Sequence, residues 1–181
     1  MHANYRMFAM GILALLAGCS TSHPPLRTEP HVDLPRFMGD WYVIASIPTA
    51  LERGAHNAVE SYRLDADGTI ATTFTFRDGG FDGKEKTYHP RGFVEDRASN
   101  AVWGMRFIWP IKADYRIVHV SPDYQRTIVG RQKRDNVWIM ARTPRISDAD
   151  LADLRVRVAA EGYDLTKLEL VPQRWPPGQK E

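Results

Sequence analysis

A single cysteine, Cys19, stands among the 181 residues, so no disulfide can form within one chain. Long hydrophobic runs are missing as well. The most apolar stretch, Met7 to Ala17, falls well short of the roughly 20 residues that a membrane-spanning helix needs. Neither sign of charge is in excess: 24 Lys and Arg face 22 Asp and Glu. With no basic block in the chain, a nucleic-acid partner is disfavoured. Catalytic patterns are absent too. No serine lies in a Gly-x-Ser-x-Gly elbow, and His23, His31, His56, His89 and His119 stand singly, without the paired helical spacing of a zinc site. Asp65 with Asp67 belongs to a turn, and Asp148 with Asp150 to a helix start. No catalytic residue, metal ligand or cofactor is therefore assigned, and the chain does not read as an enzyme.

What the chain does carry begins at its N-terminus. Arg6 and the amino group precede the short apolar run, and residues 1–18 read as a signal peptide. Leu16-Ala17-Gly18-Cys19 resembles the bacterial lipobox, whose cysteine thiol takes a diacylglyceryl group and becomes the first residue after cleavage. The resemblance implies Cys19 as the lipidation site. Ser20 in place of an aspartate implies the outer membrane, with the domain facing the periplasm. Each buried methylene contributes about 0.8 kcal/mol, so one acyl chain binds reversibly and several hold firmly. Residues 19–32, polar and proline-rich, read as a lipidated tether. Residues 33–175 remain as one domain by size, with 176–181 as a tail.

Five Trp, seven Tyr and seven Phe supply enough aromatic volume for a large interior. Short alternating runs cover residues 41–47, 57–64, 70–77, 84–95, 101–108, 115–120, 125–130 and 137–143, separated by turn residues. Asp65-Ala66-Asp67-Gly68 marks a hairpin. Pro90 inside the fourth run predicts a bulge or break, because proline cannot donate to a sheet ladder. Eight consecutive strands with short connections predict an all-β fold, an eight-stranded antiparallel up-and-down barrel, since closure removes the exposed edges. The period then changes. Ser147 as N-cap, Leu151, Leu154 and Val158 at helical spacing, and Gly162 as a left-handed stop predict one C-terminal α-helix with a narrow apolar stripe, packed outside. Residues 168–171 could add a short final strand.

Within this layout, Gly39-Asp40-Trp41-Tyr42 resembles the Gly-x-Trp-Tyr motif that opens the first strand of lipocalins. Ala113-Asp114-Tyr115 at the sixth strand and Arg142 at the end of the eighth follow in the family's order. Leu51-Glu52-Arg53-Gly54, the stretch from Asp135 to Pro144, and Ile146-Ser147-Asp148 add to the match. The chain is similar to the bacterial lipocalins, outer-membrane lipoproteins related to apolipoprotein D. The resemblance implies structural roles for Gly39, Trp41, Tyr42 and Arg142, with Trp41 plugging one end of the barrel under the Arg142 guanidinium. Ala113 departs from the threonine found there in many lipocalins.

An eight-stranded barrel has room for one small ligand. Alternation counted from Trp41 and Arg142 places Val43 and Ala45 inside with Trp138 and Met140. Alternation and resemblance together place Trp103, Met105, Phe107, Tyr115 and Ile117 there, with Phe74, Phe76 and Phe93 as further candidates. Trp103, Met105, Phe107, Tyr115, Ile117, Trp138 and Met140 are the ligand-binding candidates; the alternative is that they form a solid core. The resemblance implies a membrane-anchored carrier or store of fatty acids or lysophospholipids in the cell envelope. The tail would lie among these side chains and the head near Arg53, Arg106 or Lys112. A different class stays open: a lipocalin-like barrel enzyme or haem binder acting on a lipid or peroxide, with His119 and Tyr115 as residues to test. The sequence also leaves a homodimer open. Metabolic labelling with a palmitate analogue is expected to mark the wild type and not Cys19→Ser; equal labelling of both would refute lipidation at that thiol.

Overall fold

The computed structural model describes residues 23–176. The expected signal peptide (1–18), Cys19 with the next three residues of the expected tether, and the last five residues of the tail lie outside the described residues. Pro90 shapes the sheet as a residue without an N–H must. It splits the fourth run into β4 (Glu85–Tyr88) and β5 (Arg91–Val94), which both pair antiparallel with β3 (Thr69–Asp78). Taken together they are one stave. The others are β1 (Gly39–Ile47), β2 (Ala55–Leu64), β6 (Val102–Ile108), β7 (Ile111–Val120), β8 (Arg126–Gly130) and β9 (Val137–Ala141). Each pairs antiparallel with its neighbour in sequence, and β9 returns to β1 at Tyr42↔Ala141 and Val43↔Met140. The sheet is thus the expected closed eight-stranded up-and-down barrel. A two-residue strand, β10 (Glu169–Leu170), pairs with β1 at Ala45 and Ser46.

Two apolar clusters divide the side chains. One fills the barrel, from Phe37, Trp41 and Trp103 to Phe74, Met105 and Trp138. The other lies between the outer wall and α2 (Asp148–Ala160), where Leu154 and Val158 are buried near Tyr42, Ile128 and Ile139. Ser147 caps the helix by accepting from the Asp150 N–H at 3.1 Å, and Gly162 follows with φ +86°. Tyr163 then ties the helix exit to the β8–β9 loop. Its hydroxyl accepts from the Arg131 N–H (2.9 Å) and donates to the Arg131 carbonyl (3.0 Å).

Ala45 corrects the alternation. A bulge in β1 leaves Ile44 without a partner between Val43↔Met140 and Ala45↔Ile139. Ile44 and Ala45 therefore both join the outer cluster, and Ser46 takes the inner position beside Trp138. The described part of the tether is also held to the domain. Leu26 and Val32 are buried, and the Glu29 and Val32 N–H groups donate to the Ile117 and Ser99 carbonyls.

One end of the barrel is closed by α1 (Leu34–Phe37), capped by Asp33. Phe37 sits inside, and its carbonyl accepts from the Trp41 indole N–H at 2.8 Å. Arg142 covers that indole at 3.8 Å and donates to the carbonyls of Asp40 (2.8 Å), Arg36 (2.7 Å), Phe37 (3.1 Å) and Tyr124 (3.3 Å). Burial pushes the guanidinium down to about 10 against the pull of the Asp40 carboxylate, so it stays charged at neutral pH. Gly39 makes the approach possible: its φ is +95°, and a Cβ there would lie 3.3 Å from Arg142 Nη1. Trp41→Ala is expected to cost about 3–5 kcal/mol and Arg142→Ala less. A double-mutant cycle by urea unfolding should show strong non-additivity, because the two share one contact; strict additivity would contradict the pairing.

Candidate ligand-binding site

Above the closed end the barrel is packed, then it opens. Trp103 stacks on Tyr115 with centroids 5.2 Å apart and meets Phe37 edge-on at 5.6 Å. Beyond this layer lies a cavity of about 250 Å³. Phe74 of β3, Tyr88 of β4, Met105 of β6, Ala113 and Tyr115 of β7 and Trp138 of β9 form its wall. Leu51, Pro90 and Phe107 stand at its sides and rim.

Of the seven candidates, Met105, Phe107, Tyr115 and Trp138 line this space. Trp103, Ile117 and Met140 face inward but are consumed by the packing of the closed half, where none retains exposed surface. Phe107 is at the rim and 49 % exposed, because the β6–β7 register shifts between Met105 and Ile108 and ends the regular alternation. Phe74 lines the cavity. Phe76 is buried beside Tyr88 without reaching it. Phe93 points outward under Arg106 (4.6 Å) and Lys112 (4.5 Å), which places those two cations on the outer wall. The inward position there belongs to Gly92, where a Cβ would crowd Met105 Sδ at 3.1 Å. Arg53 is exposed in the β1–β2 loop and does not line the cavity. His119 is half-buried outside the cavity; burial first, then the Arg157 charge, push its pKa down.

Among the cavity residues that escaped the sequence reading are Tyr88, Arg131 and two acids, Glu52 and Glu60. Glu60 shares the inner face of β2 with Ala58 and Tyr62, so the alternation Ala58, Glu60, Tyr62 carried the signal. Its carboxyl accepts from the Tyr62 hydroxyl, which lies 2.6 Å from the Tyr115 hydroxyl. Glu52 accepts from the Trp138 indole N–H (3.2 Å) and from the Thr49 N–H (2.9 Å). Neither glutamate has an ion pair among the described residues. Burial, reinforced by the nearby Glu52 charge, pushes Glu60 up to about 8. Burial raises Glu52 also, opposed by its bonds from Thr49 and Trp138. Tyr115 is pushed well above 10, by burial and then by Glu60. At neutral pH the inner wall therefore carries a protonated carboxyl beside two hydroxyls. At the mouth, Arg131 donates to Asn136 at 2.8 Å, and its Nε lies 3.5 Å from Asp135 with no hydrogen bond of its own.

A calyx of this form, closed by a Gly-x-Trp strand under an arginine, has a counterpart among known proteins. The family model described as a lipocalin-like domain matches residues 32–173. The chain belongs to the lipocalin family. Temperature-induced lipocalin-1 of Arabidopsis thaliana is 30 % identical over 168 residues, covering 84 % of this chain and 86 % of that protein. Outer membrane lipoprotein Blc of Citrobacter freundii is 29 % identical over 161 residues, covering 88 % and 90 %. Among solved structures, insecticyanin of the tobacco hornworm Manduca sexta shares the fold at a TM-score of 0.66 and 13 % identity, covering 87 % of this chain and 88 % of that one. Membership of the lipocalins implies binding of a lipid or another small hydrophobe.

The raised Glu60 has a consequence for stability. Between pH 4.5 and about 8 the unfolded chain has lost this proton while the native lipocalin keeps it. Stability therefore falls as pH rises across that window, by about 1.4 kcal/mol per unit for one proton. Glu60→Gln is expected to remove this slope, so that its urea midpoint exceeds that of the wild type at pH 8 and approaches it near pH 4. Parallel profiles would show that Glu60 titrates normally.

Proposed function

We propose that this lipocalin carries or stores one single-chain lipid, a fatty acid or a lysophospholipid, in the cell envelope. In this reading acyl chains on Cys19 hold it to the outer membrane with the barrel in the periplasm, and it binds without catalysing turnover. The observation that carries the reading is a cavity of about 250 Å³ with an aromatic and Met-lined wall, set away from the end that Trp41 and Arg142 close. That volume lies under the roughly 300–1,000 Å³ of sites that enclose a whole drug-sized ligand. A ligand held there leaves part of itself outside, as an amphiphile with a buried tail does.

Charge sets the direction of entry. A carboxylate or phosphate pushed to the inner wall would meet Glu52 and Glu60 with no cation to pair, a costly arrangement away from water. Tail-first entry avoids this. It leaves the head toward the mouth, where the Arg131 guanidinium, paired with Asp135, lines the cavity.

Native mass spectrometry of the delipidated full chain with lysophospholipid tests the reading. A 1:1 complex is expected for the wild type, weakened at least tenfold in Met105→Trp, where the new indole fills the cavity. Overpacking should cost that variant only about 1–3 kcal/mol of stability. Unchanged affinity with the fold intact would place the ligand outside the barrel.

A further inference from the structure

Three large apolar side chains crowd the tip of the β6–β7 hairpin, and none is covered. Ile108 is 74 %, Trp109 78 % and Ile111 70 % exposed, with Phe107 next to them at the cavity rim. Away from the mouth, the exposed Leu64, Val156 and Leu170 stand singly on separate elements, as is ordinary for a surface. From Arg97 to Ala113 there is no acidic residue. Ile108 and Ile111 pair across the tip, and Pro110 between them has no N–H to strip of water. A tip so built presents apolar surface with one backbone donor fewer to strip of water, which favours entry into lipid.

The N-terminal end of the described chain arrives at the same end of the barrel. The Gln132 side chain donates to the His23 (3.3 Å) and Pro24 (3.1 Å) carbonyls, and Arg134 donates to Pro24 at 2.9 Å. The Gln132 N–H in turn donates to Asp114 at 2.6 Å. Asp114 lies three residues along β7 from Ile111, about 10 Å of strand. Cys19 precedes His23 by four residues, a reach of at most about 14 Å. Arg106, without an ion pair among the described residues, and Lys112, 3.7 Å from the half-exposed Glu95, flank the tip on the outer wall.

We propose that the β6–β7 tip is a second membrane contact. The hairpin dips into a phospholipid bilayer, with Arg106 and Lys112 at the level of the lipid phosphates, and seats the cavity mouth on the lipid surface. A ligand then passes between bilayer and cavity along Phe107 without crossing bulk water. Only this last use rests on the lipid-carrier reading; the docking rests on the tip itself.

The test uses the full chain carrying Cys19→Ser, so that acyl chains do not decide, with vesicles of phosphatidylethanolamine and phosphatidylglycerol. Adding Ile108→Ser, Trp109→Ser and Ile111→Ser together is expected to lower vesicle partition at least tenfold with unchanged circular dichroism. Lipids with brominated acyl chains should quench the emission that Trp109→Phe removes. Equal partition of the triple variant, or no quenching of that emission, overturns the proposal. A dimeric parent and a monomeric triple variant with equal partition assign the tip to a second copy and overturn it as well. Tip-dependent partition in a parent that binds no lysophospholipid would strike the cavity reading and leave the docking standing.

Discussion

The barrel depends on one guanidinium. Arg142 follows the last stave, lies over Trp41 of the first, and donates to carbonyls from α1, from the β1 entry and from the β7–β8 loop. Carbonyls at a helix end and a strand entry have no partners of their own, and burying them unpaired would cost about 1–3 kcal/mol each. One planar cation with its donors in a fixed fork meets several of them at once. It joins the beginning of the sheet to its end at the point where a closed barrel is most easily left ajar. With that end sealed, apolar space can survive only toward the other.

The interior then divides by depth. Near the seal the aromatic side chains meet edge to face and stack, so packing itself excludes a ligand. Farther up, Phe74, Tyr88, Met105 and Trp138 stand around open space, with polar groups among them. Glu60, Tyr62 and Tyr115 satisfy one another in a chain of hydroxyls and carboxyl, which keeps polar atoms on an otherwise apolar wall without a counter-ion. A neutral carboxyl is tolerated there; an ionised one would not be, which ties the polarity of the cavity to pH.

Local chemistry made much of this legible in the sequence. Pro90 announced the broken fourth stave because it lacks a donor, Ser147 and Gly162 framed the helix because its ends need them, and Trp41 with Arg142 marked the plug. The errors arose where geometry is not written in residue type. Ala45 faces out because a bulge inserts a residue that alternation does not count. Phe93 faces out because the inward place is filled by Gly92, which gives no apolar signal and makes room for Met105 and Ile70. Trp103, Ile117 and Met140 do face inward, but depth along the barrel, which no periodicity encodes, assigns them to packing. Glu52 and Glu60 were not assigned inward, since glutamate is rarely buried, although Glu60 is in phase with Tyr62.

The Tyr163 hydroxyl holds both the N–H and the carbonyl of Arg131, serving the β8–β9 loop in place of a neighbouring strand. A Cβ at position 130 would stand 2.2 Å from that oxygen, so glycine is what admits the clasp. The mouth is consequently asymmetric: the β8–β9 loop is bolted to the C-terminal segment, while the exposed apolar tip of the β6–β7 hairpin has no such clasp among the described residues. Widening such an opening is a swing of one side against a fixed frame.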